Sequence, residues 1–262
     1  MAYKISVVTV CYNVCDDLRK TILSVANQTY QNLEYIIIDG DSSDDTLDVI
    51  NENKSHIDKW ISEPDKGIYD AMNKGIDLAT GDWIIFMNAG DCFYNNTVIS
   101  DVFSKKYNDD VKLIYGDVAL DFGSLGILPK KFAKIPAEKI PFEICHQSVF
   151  TDTNILKKIH YDLSFKICAD CNSFAKISKM GFKLEYTPFF VSVFEVVNGV
   201  SSKRVIQSYK EHALVEEVKV SPLQHFLILS KLYLKCFLQK ILPHLYYNKI
   251  RFKSIKNRIE YQ

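Results

Sequence analysis

The chain lacks any run of the roughly 18 uncharged apolar residues that a membrane-spanning helix needs, which excludes an ordinary integral span. Two phosphate-cradling signatures are also missing. Without GxGxxG after the first predicted strand, a dinucleotide dehydrogenase is disfavoured; without GxxxxGK followed by Ser or Thr, a bound diphosphate must be neutralised some other way. Net charge is absent as well, since 32 Lys and Arg balance 32 Asp and Glu, and this argues against a nucleic-acid binder of overall basic character. The seven cysteines form no regular framework, and a chain of this length does not need disulfide staples, so reduced thiols are expected. Cys168 and Cys171 make a CxxC, but no second Cys or His pair stands at a zinc-site spacing. The N-terminal run MAYKISVVTVCYNVCDD has no small-residue cleavage site and reads as a first strand rather than a leader. No internal repeat or low-complexity linker interrupts the chain.

What is present is globular. The 262 residues are 47% apolar and 24% charged, enough for one sizeable α/β domain or two small ones. Ile5 to Val10 is a continuous β-branched run, as expected of a parallel strand buried on both faces. A helix capped by Asp16 or Asp17 follows to about Asn27, then a strand from Leu33 to Asp39 and a helix carrying Leu47, Val49 and Ile50. A short strand at 58–62, a helix at 68–79 and a strand at 83–87 continue the alternation, which predicts a doubly wound, mostly parallel sheet with helices on both faces. Further on, a strand is expected at 112–120, a long connection at 123–141, an extended segment at 147–150, helices at 152–159 and 169–180, and a strand at 182–190. Two final helices are expected at 203–219 and 222–242.

In such sheets ligands bind beyond the carboxyl ends of the parallel strands. The first strand leads to Thr9, Tyr12 and Asn13, the second to Asp39 and Asp41, and the fourth to Asn88-Ala89-Gly90-Asp91. An aromatic ring beside an acid suits a nucleobase that stacks on Tyr12 and donates its imide N–H to Asp39. Asp91, on a turn that Gly90 makes tight, is a hard oxygen ligand suited to Mg²⁺ or Mn²⁺, although a lone Asp after a strand reads equally as a turn residue. Asp65 and Lys66, in EPDKG, precede the helix carrying Asp70 and Asn73, and PDKG reads equally as an ordinary turn into a helix.

The runs SVVTVCYN, LSVANQTYQNLEYIIIDGDSSDDT and ISEPDKGIYDAMNKGIDLATGDWIIFMNAGD resemble the family 2 glycosyltransferases of the GT-A fold, and within them the bacterial surface-polysaccharide branch that includes colanic-acid-type transferases. The resemblance covers about residues 4–202. It implies inverting, non-processive transfer of one sugar from a nucleotide-sugar donor, usually a UDP-sugar, since the QxxRW signature of processive synthases is absent. By the same resemblance Thr9, Tyr12 and Asp39 hold the uracil and its ribose, and Asp41 occupies the site of the second acidic residue in the family's usual turn; Asn13 and Asn73 are further donor-binding candidates. Asp65 accepts from a donor hydroxyl and Lys66 neutralises donor phosphate. Asp91 matches the last acid of the metal-binding DxD-type motif, with Asn88 and Gly90 where many members carry acids, so Asn88 would act through its amide oxygen or a water. Asp170, in FKICADCNSF, stands where the family places its base, and read without the family it is equally a helix cap. His146 and Gln147, in CHQSVF, fall on the acceptor or phosphate side, and Phe194 and Glu195 with the turn at 198–202 on a segment that closes over the site, with Asn198 where a glycine is common. Alternative readings are a nucleotidyltransferase on a similar sheet and a catalytically silent carbohydrate-binding or scaffold protein.

A catalytic domain over 1–220, divided near 92 into a nucleotide half and an acceptor half, is expected to precede a helical extension over 221–262. Between Ser221-Pro222 and Pro243, Gln224, Lys231, Lys235 and Gln239 line one helix face, and the rest of its circumference is apolar. From Lys219 onward nine Lys and Arg meet one acid, which leaves 23 basic against 31 acidic residues for 1–218. A wide apolar face beside a cationic tail predicts a peripheral site on the cytoplasmic face of the membrane, bound through 222–262. It also matches the implied acceptor, a polyprenyl-diphosphate-linked or free oligosaccharide; packing on the domain or in a homo-oligomer is the other reading.

Overall fold

The computed structural model describes residues 2–132, 134, 144–196, 204–216, 221–241 and 244–260. The first half alternates as the β-branched runs dictate: β1 (Ile5–Cys11), α1 (Cys15–Ala26), β2 (Leu33–Asp39), α2 (Thr46–Glu52), β3 (Lys59–Ser62), α3 (Ile68–Leu78) and β4 (Trp83–Phe86). The second half adds β5 (Cys92–Phe93), α4 (Val98–Val102), β6 (Val111–Asp121), β7 (Ile127–Lys130), β8 (Val149–Asp152), α5 (Thr153–Ile159), α6 (Ala169–Lys179) and β9 (Lys183–Glu195). Three helices follow: α7 (Val205–Glu216), α8 (Pro222–Ile241) and α9 (His244–Glu260).

Nine strands form one sheet in the order β3-β2-β1-β4-β8-β6-β9-β5, with β7 paired to β6. The β3-β2-β1-β4 portion is parallel throughout, as is β6 with β9, whereas β8 runs antiparallel to both β4 and β6. Side chains of β1 alternate between two cores. Ile5 and Val7 pack with Leu18 and Ile22 of α1 on one face, while Val8 and Val10 pack with Met72 and Ile76 of α3 on the other. α3 rides very close to the sheet: a Cβ at Gly75 would stand 2.5 Å from Val8 Cγ1, so this helix position requires glycine.

Several expectations are corrected. α1 starts at Cys15 after Val14, which makes no side-chain cap, and Asp16 and Asp17 lie in its first turn, where acids favour the positive end of the helix dipole. Residues 146–148 form a 3-10 turn, and only then does the chain extend into β8. The connection after Asp121 folds into a 3-10 turn and β7, which pairs back on β6; most of its remainder, and Asn198 with the turn at 198–202, lie outside the described residues. The last strand continues to Glu195 instead of stopping near 190.

Candidate functional site

The carboxyl end of β4 leads into a turn whose shape is set from α1. Gly90 takes φ +100°, a conformation open to glycine at little cost. Its N–H donates to Thr21 Oγ1 at 3.0 Å, and the Thr21 hydroxyl lies 2.8 Å from the Asp91 carbonyl and 3.3 Å from that of Asn88. Thr21 is fully buried, so this turn is bolted to the inward side of α1.

Asp91 is thereby turned into the protein. Burial pushes its carboxyl up to about 7; nearby His146, the Gln147 amide (3.1 Å from Oδ2) and the Glu195 backbone N–H pull the other way without cancelling it. Beside it, Asn88 Oδ1 is buried with no hydrogen-bond partner. An orphaned amide oxygen next to a carboxylate of under-compensated charge is a donor set for a hard cation such as Mn²⁺ or Mg²⁺. Among the described residues no three His, Cys, Asp or Glu side chains are grouped to hold a metal by themselves. Asn88 and Asp91 therefore fit a cation that takes its other ligands from phosphate and water, the usual manner of these ions.

His146 bridges this edge to the start of α6. Its Nε2 lies 3.1 Å from Asn88 Nδ2 and its Nδ1 3.1 Å from Asp170 Oδ2. With the proton on Nδ1 the ring donates to Asp170 and accepts from the Asn88 amide. Burial opposes charge on His146, but Asp170 and Asp91 outweigh it and lift the imidazole above its ordinary value. Burial likewise opposes ionisation of Asp170, yet His146, the Cys171 backbone N–H and Tyr69 hold its carboxyl below the usual range. Both shifts favour an ionised Asp170. The Tyr69 hydroxyl lies 3.0 Å from Asp170 Oδ1 and 2.6 Å from the Ile167 carbonyl. Asp91, Asn88, Gln147, His146, Asp170 and Tyr69 are thus one connected polar network running from the end of β4 to α6.

The nucleotide-side residues divide. Tyr12 is 61% exposed, an open ring beside Gly40, and Asp65 packs over the same glycine. Asp41 (φ +66°) is exposed, and Asn13 (φ +52°) ties the two loops together, its amide oxygen accepting from Ser43 N at 2.8 Å. Lys66 is exposed, its N–H donating to Asp70, while Asp65 accepts from Gly67 N–H. Asp39, by contrast, is fully buried and accepts from the hydroxyls of Ser42 and Ser62 and from Ser42 N–H. Two residues expected on the donor side have their side chains engaged within the fold. The Thr9 hydroxyl is buried, donating to the Met87 carbonyl and paired with the Tyr35 hydroxyl. Both ends of the Asn73 amide are spent on the Tyr161 backbone. Sequence reasoning missed Thr21 and Tyr69, because a helix Thr and a helix Tyr carry no local mark of partners about 70 and 100 residues away.

The family model for glycosyl transferase family 2 matches residues 6–163. A PGL/p-HBAD biosynthesis glycosyltransferase of Mycobacterium bovis is 30% identical over 172 residues, 63% of this chain and 66% of that protein. An uncharacterised glycosyltransferase of Mycobacterium tuberculosis is 36% identical over 176 residues, covering 63% and 65% of the two chains. The chain thus spans slightly less than two thirds of the length of these relatives. Among solved structures, the mannosyltransferase PcManGT of Pyrobaculum calidifontis, in complex with GDP-Man and Mn²⁺, superposes with a TM-score of 0.66 at 14% identity over 97% of this chain and 76% of that one. Residues 1–349 of S. aureus TarS, in complex with UDP, give 0.61 at 15% identity over 81% and 65%. These likenesses show the GT-A fold, and with the family model matching more than half of its length, from β1 to just beyond α5, this chain belongs to the family 2 glycosyltransferases.

Proposed function

We propose that this chain transfers a single sugar, with inversion, from a nucleotide-sugar donor to an acceptor hydroxyl, with Asp170 as the base. The observation that carries this reading is the His146 bridge, which sets an ionised carboxylate opposite a cation-suited pair, Asn88 and Asp91. The acceptor oxygen attacks the anomeric carbon, its proton passes to an Asp170 carboxylate oxygen, and the anomeric C–O bond breaks with its electron pair leaving on the diphosphate. Asn88 and Asp91 would hold the divalent cation, whose charge supplements the protein in stabilising that departing diphosphate. Tyr12 offers the nucleobase a stacking face, Asp41, Asp65 and Lys66 surround the sugar and phosphates, and Gln147 orients Asp91. Asp39, the candidate acceptor for a base N–H, is buried and already bonded to Ser42 and Ser62. Complexes of the similar structures with UDP and with GDP-Man support a nucleoside diphosphate donor and leave its base open.

The acceptor is inferred to be a lipid-linked or free oligosaccharide met at a membrane surface. Phe226, Leu227, Tyr233, Leu234, Phe237, Leu238 and Ile241 of α8 are all exposed, more apolar surface than a water-facing helix normally shows. No helix among the described residues is long and apolar enough to cross a membrane, so α8 is read as lying in the interface.

Nucleoside diphosphate release from a panel of UDP- and GDP-sugars with Mn²⁺ tests the catalytic reading. Asp170→Asn and Asp91→Asn should each lose at least about a hundredfold in turnover. Equal turnover in all three proteins would remove both assignments, and release of pyrophosphate instead would point to a nucleotidyltransferase.

A further inference from the structure

The turn that presents Asp170 is held from outside the catalytic sheet. Three consecutive backbone N–H groups just before α6 converge on the Glu211 carboxylate of α7: Lys166 at 3.0 and 3.1 Å, Ile167 at 2.8 Å and Cys168 at 3.0 Å. Gln207, one turn earlier on α7, donates to the same carboxylate at 2.9 Å. Glu211 is only 7% exposed, and among the described residues no cation pairs with it. Successive N–H groups converging on one anion form a nest, whose dipoles replace a counter-ion. Burial opposes this charge, but the N–H donors outweigh it and hold the carboxyl below its usual range.

The same turn is gripped on its other side. The Ile167 carbonyl accepts from Tyr69, whose hydroxyl also reaches Asp170, and Cys168 Sγ lies 3.7 Å from the Ser208 carbonyl of α7. The backbone at 166–168 is therefore fixed between α3 and α7, and Asp170 follows two residues later.

We infer that Glu211 is a positioning residue for the transfer: its carboxylate, seated in the 166–168 nest, sets where Asp170 stands. This rests on the reading of Asp170 as the base. Alanine at 211 removes the shared acceptor of three N–H groups, that of Cys168 buried and those of Lys166 and Ile167 partly so, and the segment turns to find water and carries Asp170 with it. Glutamine keeps the volume but points an amide N–H₂ at donors, which repels at least one of them.

The test uses the full chain and whichever UDP- or GDP-sugar the wild type hydrolyses with Mn²⁺. Glu211→Ala should lower kcat roughly ten- to a hundredfold, as about 1 Å of misplacement does, with donor KM within about twofold. Added formate, a carboxylate small enough for the emptied nest, should restore part of that loss in Glu211→Ala and none in Glu211→Gln, whose side chain still fills the space. Glu216→Gln, exposed and farther along the same helix, should match the wild type. Hydrogen exchange, which needs no donor, should quicken at 166–172 in Glu211→Ala and stay unchanged over β1–β4. Wild-type kcat in Glu211→Ala, unchanged exchange at 166–172, or a loss of kcat that formate leaves untouched overturns the inference. Full turnover in Asp170→Asn instead overturns the base assignment by itself, whatever the Glu211 variants do.

Discussion

Thr21 shows how much of the site depends on single side chains that touch no substrate. Its one hydroxyl accepts from Gly90 and donates into the carbonyls flanking the turn, so it shapes the segment from which Asn88 and Asp91 project. Thr21→Val keeps the shape of the side chain and removes every one of those bonds. The loss should be about 1 kcal/mol of stability, read by urea unfolding, because the Asp91 carbonyl loses its Thr21 partner while the Gly90 N–H keeps only the longer bond to the Asp17 carbonyl and the Asn88 carbonyl keeps the Asp91 N–H. The rise in Tm on adding Mn²⁺ should shrink as the site loosens by about ten- to a hundredfold in affinity. In Asp91→Asn the rise should vanish. At this scale the sequence was partly legible. Asp91 and Asp170 stand out in the sequence as candidates because each sits at a strand or helix end where an acid has a use, whereas nothing in the sequence shows that the Thr9 hydroxyl and the Asn73 amide find partners inside the fold. Chain position carries no information about which partner a hydroxyl or amide has already found.

At the scale of elements, Glu34 fastens the opposite end of the parallel sheet. On β2, it accepts from Lys59 at 2.7 Å, Ser6 at 2.7 Å, and the N–H and hydroxyl of Thr80 at 2.8 and 2.7 Å, joining β1, β2 and β3 to the loop before β4. Burial acts to raise its carboxyl, but these donors outweigh it and hold it at about 2. A depressed carboxyl contributes stability that is full above its unfolded value, about 4.3, and is lost as pH falls through the folded value. Urea unfolding between pH 5 and 2 should therefore show stability falling with pH in the wild type, and the slope should flatten in Glu34→Gln. Glu34→Ala should cost roughly 1–2 kcal/mol at neutral pH, since the buried Ser6 hydroxyl and the Thr80 N–H lose their acceptor, while Lys59 keeps the Leu78 carbonyl and water. The parallel strands were legible because uninterrupted β-branched runs are rarely anything else. β5 and β7, of two and four residues, were not: they pair with strands far off or folded back, and no periodicity can show in so short a run.

For the whole molecule, the even charge balance conceals two unlike parts, an acidic body and a basic end in which nine Lys and Arg meet one acid from residue 219 onward. Co-sedimentation with vesicles should be strong for anionic phospholipid and weak for phosphatidylcholine. It should decline as ionic strength shortens the reach of surface charge. Leu234→Glu with Phe237→Glu should abolish it, both side chains being exposed; undiminished binding would sink the membrane reading. Deleting 222–262 is the poorer experiment, because α9 returns to the body. Phe252 meets Phe122 edge-on at 5.3 Å, Arg251 donates to the Val196 carbonyl, and Ile255 packs on the same core. The uncovered helix α8 thus lies between two anchored neighbours, with α7 fastened at the turn before Asp170 and α9 against the residues just after β6 and β9. A helix moored at both ends cannot act as a loose tether. On the proposed membrane reading, a lipid surface that took up α8 would fix the tilt and height of the cleft above it, so the distance from the bilayer to the reacting hydroxyl would become a property of the fold, and acceptors would be sorted by how far they stand from the lipid as well as by which sugar they present.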